Sequence, residues 1–257
     1  SLLFSLGITV ATSGISQEEN IKMTTEGRDK MVPVIVLLKD QYKPSDKLVS
    51  KDAYIQSMKS FAESRQKDIL TALRSKEATG SVRDIKQFWI VNAVSFKATP
   101  EVIEEIKKRP DVAKVELDRK VRLLDLEEKK EKGFFDTFNS SQTIKIIKPG
   151  EPSISWGIEW IEAPQVWVTG INGSGINVSV VDTGINASHP DLLGKVIKWM
   201  DFVNNESEPY DDNGHGTHVA GTIAGTKTGV APGANLFGVK VFNSYGIANL
   251  SDVIEAF

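Results

Sequence analysis

Asn177-Val178-Ser179-Val180-Val181-Asp182-Thr183-Gly184-Ile185 is a short β-branched run that stops at an acid. Its length and composition predict a strand, and the Thr-Gly pair after the acid predicts a turn. Val196-Ile197-Lys198-Trp199-Met200 is a second strand candidate, and Asn235-Leu236-Phe237-Gly238-Val239-Lys240-Val241-Phe242 is a third. Between them, His215 to Ala224 is small and apolar, as expected of a closely packed buried helix. Ser251 begins what reads as another helix. Strands alternating with helices argue for a parallel α/β sheet, and active sites on such sheets form at the carboxyl ends of the strands. Asp182 stands at one of those ends.

Upstream the pattern is different. Val34-Ile35-Val36-Leu37-Leu38 reads as a strand. From Asp52 to Lys76 the apolar residues Ile55, Met58, Ala62, Ile69 and Leu73 recur at helical spacing, with Gly80 as a stop. Phe88-Trp89-Ile90-Val91 and Val94-Ser95-Phe96-Lys97 read as two strands joined near Asn92-Ala93. Thr99, Pro100 and Glu101 suit the start of a short helix, and Lys107, Lys108 and Arg109 suit its last turn. Ala113, Val115 and Leu117 then alternate with charged residues, which predicts a half-buried strand. The order β-α-β-β-α-β over residues 32–118 is the split-βαβ, ferredoxin-like plan, which by itself carries no function.

The chemistry concentrates in a small region. All three histidines, His189, His215 and His218, lie there. Two of them sit in Asp211-Asp212-Asn213-Gly214-His215-Gly216-Thr217-His218-Val219-Ala220-Gly221. A carboxylate at a strand end beside an imidazole at a helix start can fix the ring's tautomer and stabilise the imidazolium that forms when it takes a proton. The bland alternatives are a turn-forming Asp182 and a His215/His218 metal pair at i, i+3 with Asp211 or Asp212 nearby.

The runs Val180 to Leu192 and His215 to Thr222 resemble the Asp and His motifs of subtilisin-like serine proteases. The segment Trp156 to Pro164 is similar to the start of their mature domain, and Gly229 to Leu236 and Val239-Lys240-Val241 match in the same order. Asn92 to Phe96 and Val112 to Asp118 are similar to the inhibitory propeptide of that family. The resemblance implies a ferredoxin-like propeptide followed by the N-terminal part of a parallel-sheet α/β protease domain. It gives Asp182 as the triad acid and His215 as the general base. It gives Gly246, Ile247 and Ala248 as the strand that pairs with the substrate backbone, with Ala248 where the family often has Gly. Asp191 matches a carboxylate that often binds calcium. The loop Gly225 to Gly229 is shorter than in members that hold the ion, which argues against calcium at Asp191; the resemblance requires no cofactor for the chemistry and leaves calcium a structural role at most.

No Gly-Thr-Ser segment follows His215, and the only Thr-Ser pair is Thr12-Ser13. The expectation is therefore a serine endopeptidase zymogen fragment that carries Asp and His without the nucleophile and is inactive as it stands. Protein or peptide substrates and the chain's own propeptide are the expected partners. The alternative is a non-catalytic inhibitor or binding module acting through the propeptide region.

Bulk properties agree with this reading and exclude others. A net charge of -3 leaves no basic excess to neutralise phosphates, so nucleic acid is not an expected partner. The absence of cysteine removes disulfide frameworks, thiolate nucleophiles and thiolate metal sites. Leu2 to Val10 followed by Ala11-Thr12-Ser13-Gly14 reads as part of a secretory signal peptide, too short to span a bilayer. A secreted protein is expected, with residues 1–16 as the partial signal, 31–122 as the propeptide, 123–152 as a linker and 153–257 as the protease part. The charged run Glu127 to Lys132 falls in that linker.

Overall fold

The computed structural model describes residues 31–43, 50–123 and 154–257. The signal-like segment, and all of the linker after Leu123 with its charged run, lie outside the described residues. The chain divides into two compact units. One takes residues up to Val121 together with Asn249–Glu255, and the other runs Arg122–Ala248.

The first unit is built from β1 (Val32–Leu38), α1 (Lys51–Ala78), β2 (Val82–Phe88), β3 (Ala93–Ala98), α2 (Pro100–Lys107) and β4 (Val112–Leu117). Its sheet has the order β2-β3-β1-β4, and every neighbouring pair is antiparallel. This is the ferredoxin-like plan expected from the sequence. Val32, Val34, Val36 and Leu38 of β1 pack with Ile69 and Leu73 of α1 and with Val102, Ile103 and Ile106 of α2. Burying such side chains is worth about 1.5–3 kcal/mol each. Ser50 caps α1 by accepting the Ala53 N–H, and Gly80 follows the helix with φ +76°. Thr99 precedes α2 without a side-chain cap, and Pro100 opens that helix.

Two expected strands are placed differently. Phe88-Trp89-Ile90-Val91 is not a strand. β2 ends at Phe88, and residues 89–92 form the turn into β3. The apolar signal misled because β2 itself, Val-Arg-Asp-Ile-Lys-Gln-Phe, is largely polar and lies at the sheet edge. The turn is held from below by Gln66, a fully buried side chain whose amide donates to Phe88 O (2.8 Å) and Asn92 Oδ1 (3.0 Å). In β4 the alternation breaks at Ala113. The pairing with β1 shifts between Leu37 and Leu38, so Leu38 faces Val112 and Leu37 faces Lys114. The irregularity buries Val112 and leaves Ala113 exposed.

After β5 (Lys120–Arg122) come two short helices, α3 (Trp156–Trp160) and α4 (Ala163–Trp167). The rest of the second unit is β6 (Asn177–Asp182), β7 (Val196–Asp201), α5 (His215–Ala224), β8 (Asn235–Lys240) and β9 (Ile247–Asn249), whose last residue belongs to the first unit. Strands β6, β8 and β7 form a parallel sheet in that order. Val180, Ile185, Leu192, Ala220, Ala224, Ala234 and Leu236 make its core. The register aligns Asp182 with Lys240 and Lys240 with Asp201, so all three strands end on one row of charged side chains. Helix α6 (Leu250–Glu255) belongs to the first unit. There Asp118 accepts the Ser251 N–H (2.9 Å) and hydroxyl (2.6 Å).

Candidate active site

The row of strand ends is where the chemistry gathers. Asp182 closes β6 and is almost fully buried. His215 opens α5. Its Nδ1 lies 2.8 Å from Asp182 Oδ1 and 2.9 Å from Oδ2, and about two fifths of its side chain (39%) is exposed. A ring bonded in this way presents Nδ1–H to the carboxylate and leaves Nε2 for a partner outside.

Small residues make the approach possible. A Cβ on Gly216 would overlap the Gly184 carbonyl oxygen and crowd Asp182 Cβ at 3.1 Å. A Cβ on Gly184, where φ is +120°, would overlap the Tyr210 carbonyl. The first turn of α5 can therefore lie against the end of β6 only where side chains are missing.

Three residues to which sequence reasoning gave no part in the Asp182–His215 pair hold this arrangement. The Thr183 N–H donates to Asp182 Oδ1 (2.7 Å), and the Gly216 N–H donates to Thr183 Oγ1 (2.9 Å). Asp211 accepts the Thr183 hydroxyl, the Asn213 and Gly214 N–H groups, and both the N–H and the hydroxyl of Thr217. Burial raises the Asp211 pKa, but these hydrogen bonds, that of the Thr217 hydroxyl foremost, outweigh it and hold the carboxyl below its ordinary value. Lys240 is fully buried, and its ammonium donates to the carbonyls of Thr183 and Phe242 and to Asp212 Oδ1 (2.6 Å). Three donors meet three acceptors there. A lysine inside the apolar run Leu236 to Val241 was the available signal for a buried ion pair.

Gly246, Ile247 and Ala248 lie in the same unit. Gly246 has φ +67°, and its carbonyl accepts the Leu123 N–H at 2.9 Å. Asn243 fixes the bend before the strand, since its side-chain oxygen accepts the Tyr245 and Ile247 N–H groups. The Asn213 amide, two residues before His215, donates to Ser244 O at 2.9 Å. The expected substrate strand is thus tied to the loop that precedes the imidazole.

Asp191 sits elsewhere. One oxygen accepts the Lys227 N–H (2.6 Å), and the other accepts the Thr228 hydroxyl (2.6 Å) and N–H (3.2 Å). Burial raises its pKa, but these bonds outweigh that effect and lower it. The carboxylate is ringed by donors, and the described residues hold no cluster of three acids or histidines suited to a metal. That donor set does not fit a calcium ion. His189 lies in the same turn, where its Nδ1 accepts the Asp191 N–H, and the His218 side chain is exposed on α5.

Comparison with known proteins bears on the whole arrangement. Residues 173–256 match the model of the subtilase family, and residues 33–124 match that of the peptidase inhibitor I9 family. The chain belongs to the subtilase family. Its I9 segment is the propeptide of a precursor, and the subtilase segment carries both Asp182 and His215. It is 35% identical to subtilisin E of Bacillus subtilis over 206 residues, which is 78% of this chain and 45% of that protein. It is 32% identical to bacillopeptidase F of the same organism over 226 residues, 80% of this chain and 15% of that protein. Serine protease AprX of B. subtilis is 36% identical over 174 residues, 64% of this chain and 33% of that protein. The chain spans less than half the length of each of these relatives.

Proposed function

We propose that the chain is the front part of a secreted serine endopeptidase zymogen, contributing Asp182 and His215 to an Asp-His-Ser triad whose serine lies outside these 257 residues. The observation that carries this reading is the His215 Nδ1 contact to both carboxylate oxygens of Asp182 at the end of a parallel strand. In the complete enzyme a serine Oγ attacks the peptide carbonyl carbon while His215 Nε2 takes its proton. The imidazolium, stabilised by Asp182, then gives that proton to the departing amine. Water repeats the sequence on the acyl-enzyme and restores the serine. The substrate backbone adds alongside Gly246, Ile247 and Ala248, and the I9 segment acts as an intramolecular inhibitor of that cleft. Among the described residues no helix is long and apolar enough to cross a membrane.

The test is casein hydrolysis by the 257-residue chain beside a chain extended through the downstream coding sequence. The extended chain should cleave and the short one should not. Asp182→Asn in the extended chain should lower kcat by about 10⁴-fold. Cleavage by the short chain would overturn the assignment. An inert extended chain that still inhibits a subtilisin in trans would favour the inhibitor-module reading.

A further inference from the structure

The Asp182–His215 contact joins a strand end to a helix start, and neither residue fixes the distance between those elements. Thr183 has already spent its N–H on Asp182 Oδ1, so its position sets that of the acid. His215 is one link in a loop whose flanking N–H groups, at Asn213, Gly214 and Thr217, all point at a single neighbouring carboxylate.

We infer that Asp211 is a positioning residue for the triad, joining the catalytic acid's strand to the catalytic histidine's helix through one carboxylate. Oδ1 accepts the Thr183 hydroxyl at 2.9 Å, Gly214 N at 2.9 Å and Asn213 N at 3.1 Å. Oδ2 accepts Thr217 Oγ1 at 2.6 Å and Thr217 N at 2.9 Å. The Thr183 hydroxyl that donates to Asp211 also accepts the Gly216 N–H, which closes a ring from Asp182 through Thr183 and Asp211 to both sides of His215. An ionised carboxylate, with about four lone-pair sites and no proton of its own, is the side chain suited to five converging donors, at least two of which share a site on Oδ1. An asparagine would keep the shape but turn an amide N–H₂ toward donors. Displacements of about 1 Å at such a site can cost around 100-fold in rate, so a group that touches no substrate can still set the speed of the reaction.

The inference rests on the triad reading, and the experiment separates the two. Imidazole proton and nitrogen spectra of the 257-residue chain should show a low-field Nδ1–H signal from His215, with His189 and His218 as internal controls. Asp182→Asn must abolish that signal; if it does not, the triad reading fails and the role of Asp211 with it. Asp211→Asn should weaken or broaden the His215 signal while leaving those of His189 and His218 in place. Thr183→Val should do the same to a smaller degree, and Thr183→Ser, which keeps the hydroxyl, should restore it. If Asp211→Asn does not fold, the Thr183 pair decides the question on its own. In the extended, active chain Asp211→Asn should lower kcat by about 10- to 100-fold with KM little changed. An Asp211→Asn chain that keeps the His215 signal, or a Thr183→Val chain indistinguishable from Thr183→Ser, would overturn the inference.

Discussion

Three carboxylates of the second unit, Asp191, Asp201 and Asp211, share one physical situation. Each is partly desolvated, which raises its pKa, and each accepts several N–H or O–H bonds, which lower it by more. Asp201 takes the N–H groups of Val203, Asn204 and Glu206 and the Tyr210 hydroxyl. Because the folded values lie below the unfolded one, these groups contribute their full stabilisation above about pH 4. That contribution is lost as the pH falls through the depressed folded values. Acid unfolding followed by tryptophan fluorescence should report this loss, since Trp199 Nε1 donates to the Glu206 carbonyl in the Asp201 loop. Asp201→Asn should flatten the acid limb of the stability curve, and an unchanged acid limb would contradict the account. At this scale Asp182 and His215 were legible, because motif residues at a strand end and a helix start announce themselves in one dimension. Thr183, Asp211 and Lys240 were not, because their importance lies in hydrogen bonds that form only once separate loops converge.

Elements depend on a few side chains that are missing or buried. Gly216→Ala would drive a methyl group into the Gly184 carbonyl, so α5 would have to back away from β6. The cost should be about 3 kcal/mol or more, read as a lower midpoint in urea, and catalysis in the extended chain should fall further than stability alone explains. A midpoint within error of the parent would sink that packing argument. In the first unit Gln66→Leu removes the donor that serves the carbonyls of Phe88 and Ala93 and the side chain of Asn92. Leaving buried acceptors unpaired should cost about 1–3 kcal/mol. Thermal melts of the 257-residue chain would show it, and a neutral result would mean that the turn is held by other contacts. The same turn shows where element reading fails. An aromatic and β-branched run at 88–91 had the composition of a strand, but the sheet's edge strand is the more polar stretch before it, whose pairing with β3 no local pattern displays. The bulge that exposes Ala113 has the same cause, because register is a property of two strands together.

At the scale of the molecule, the order of propeptide segment and subtilase segment was legible because each has its own hydrophobic period and its own motifs. The grouping of Asn249–Glu255 with the first unit was not. It rests on contacts across long stretches of chain, such as Asp118 with Ser251 and Lys86 with Asp252 (2.8 Å) and Glu255 (2.6 Å). Such pairs appear in the sequence only as scattered charges. The proposed division of labour gives Asp182 and His215 the proton and leaves the nucleophile to a serine outside these 257 residues. Covalent labelling with a serine-directed fluorophosphonate tests it most directly. The extended chain should label at one serine downstream of Phe257, His215→Ala should suppress the labelling, and the 257-residue chain should not label at all. Labelling of the 257-residue chain, or equal labelling of the extended parent and its His215→Ala variant, would contradict it.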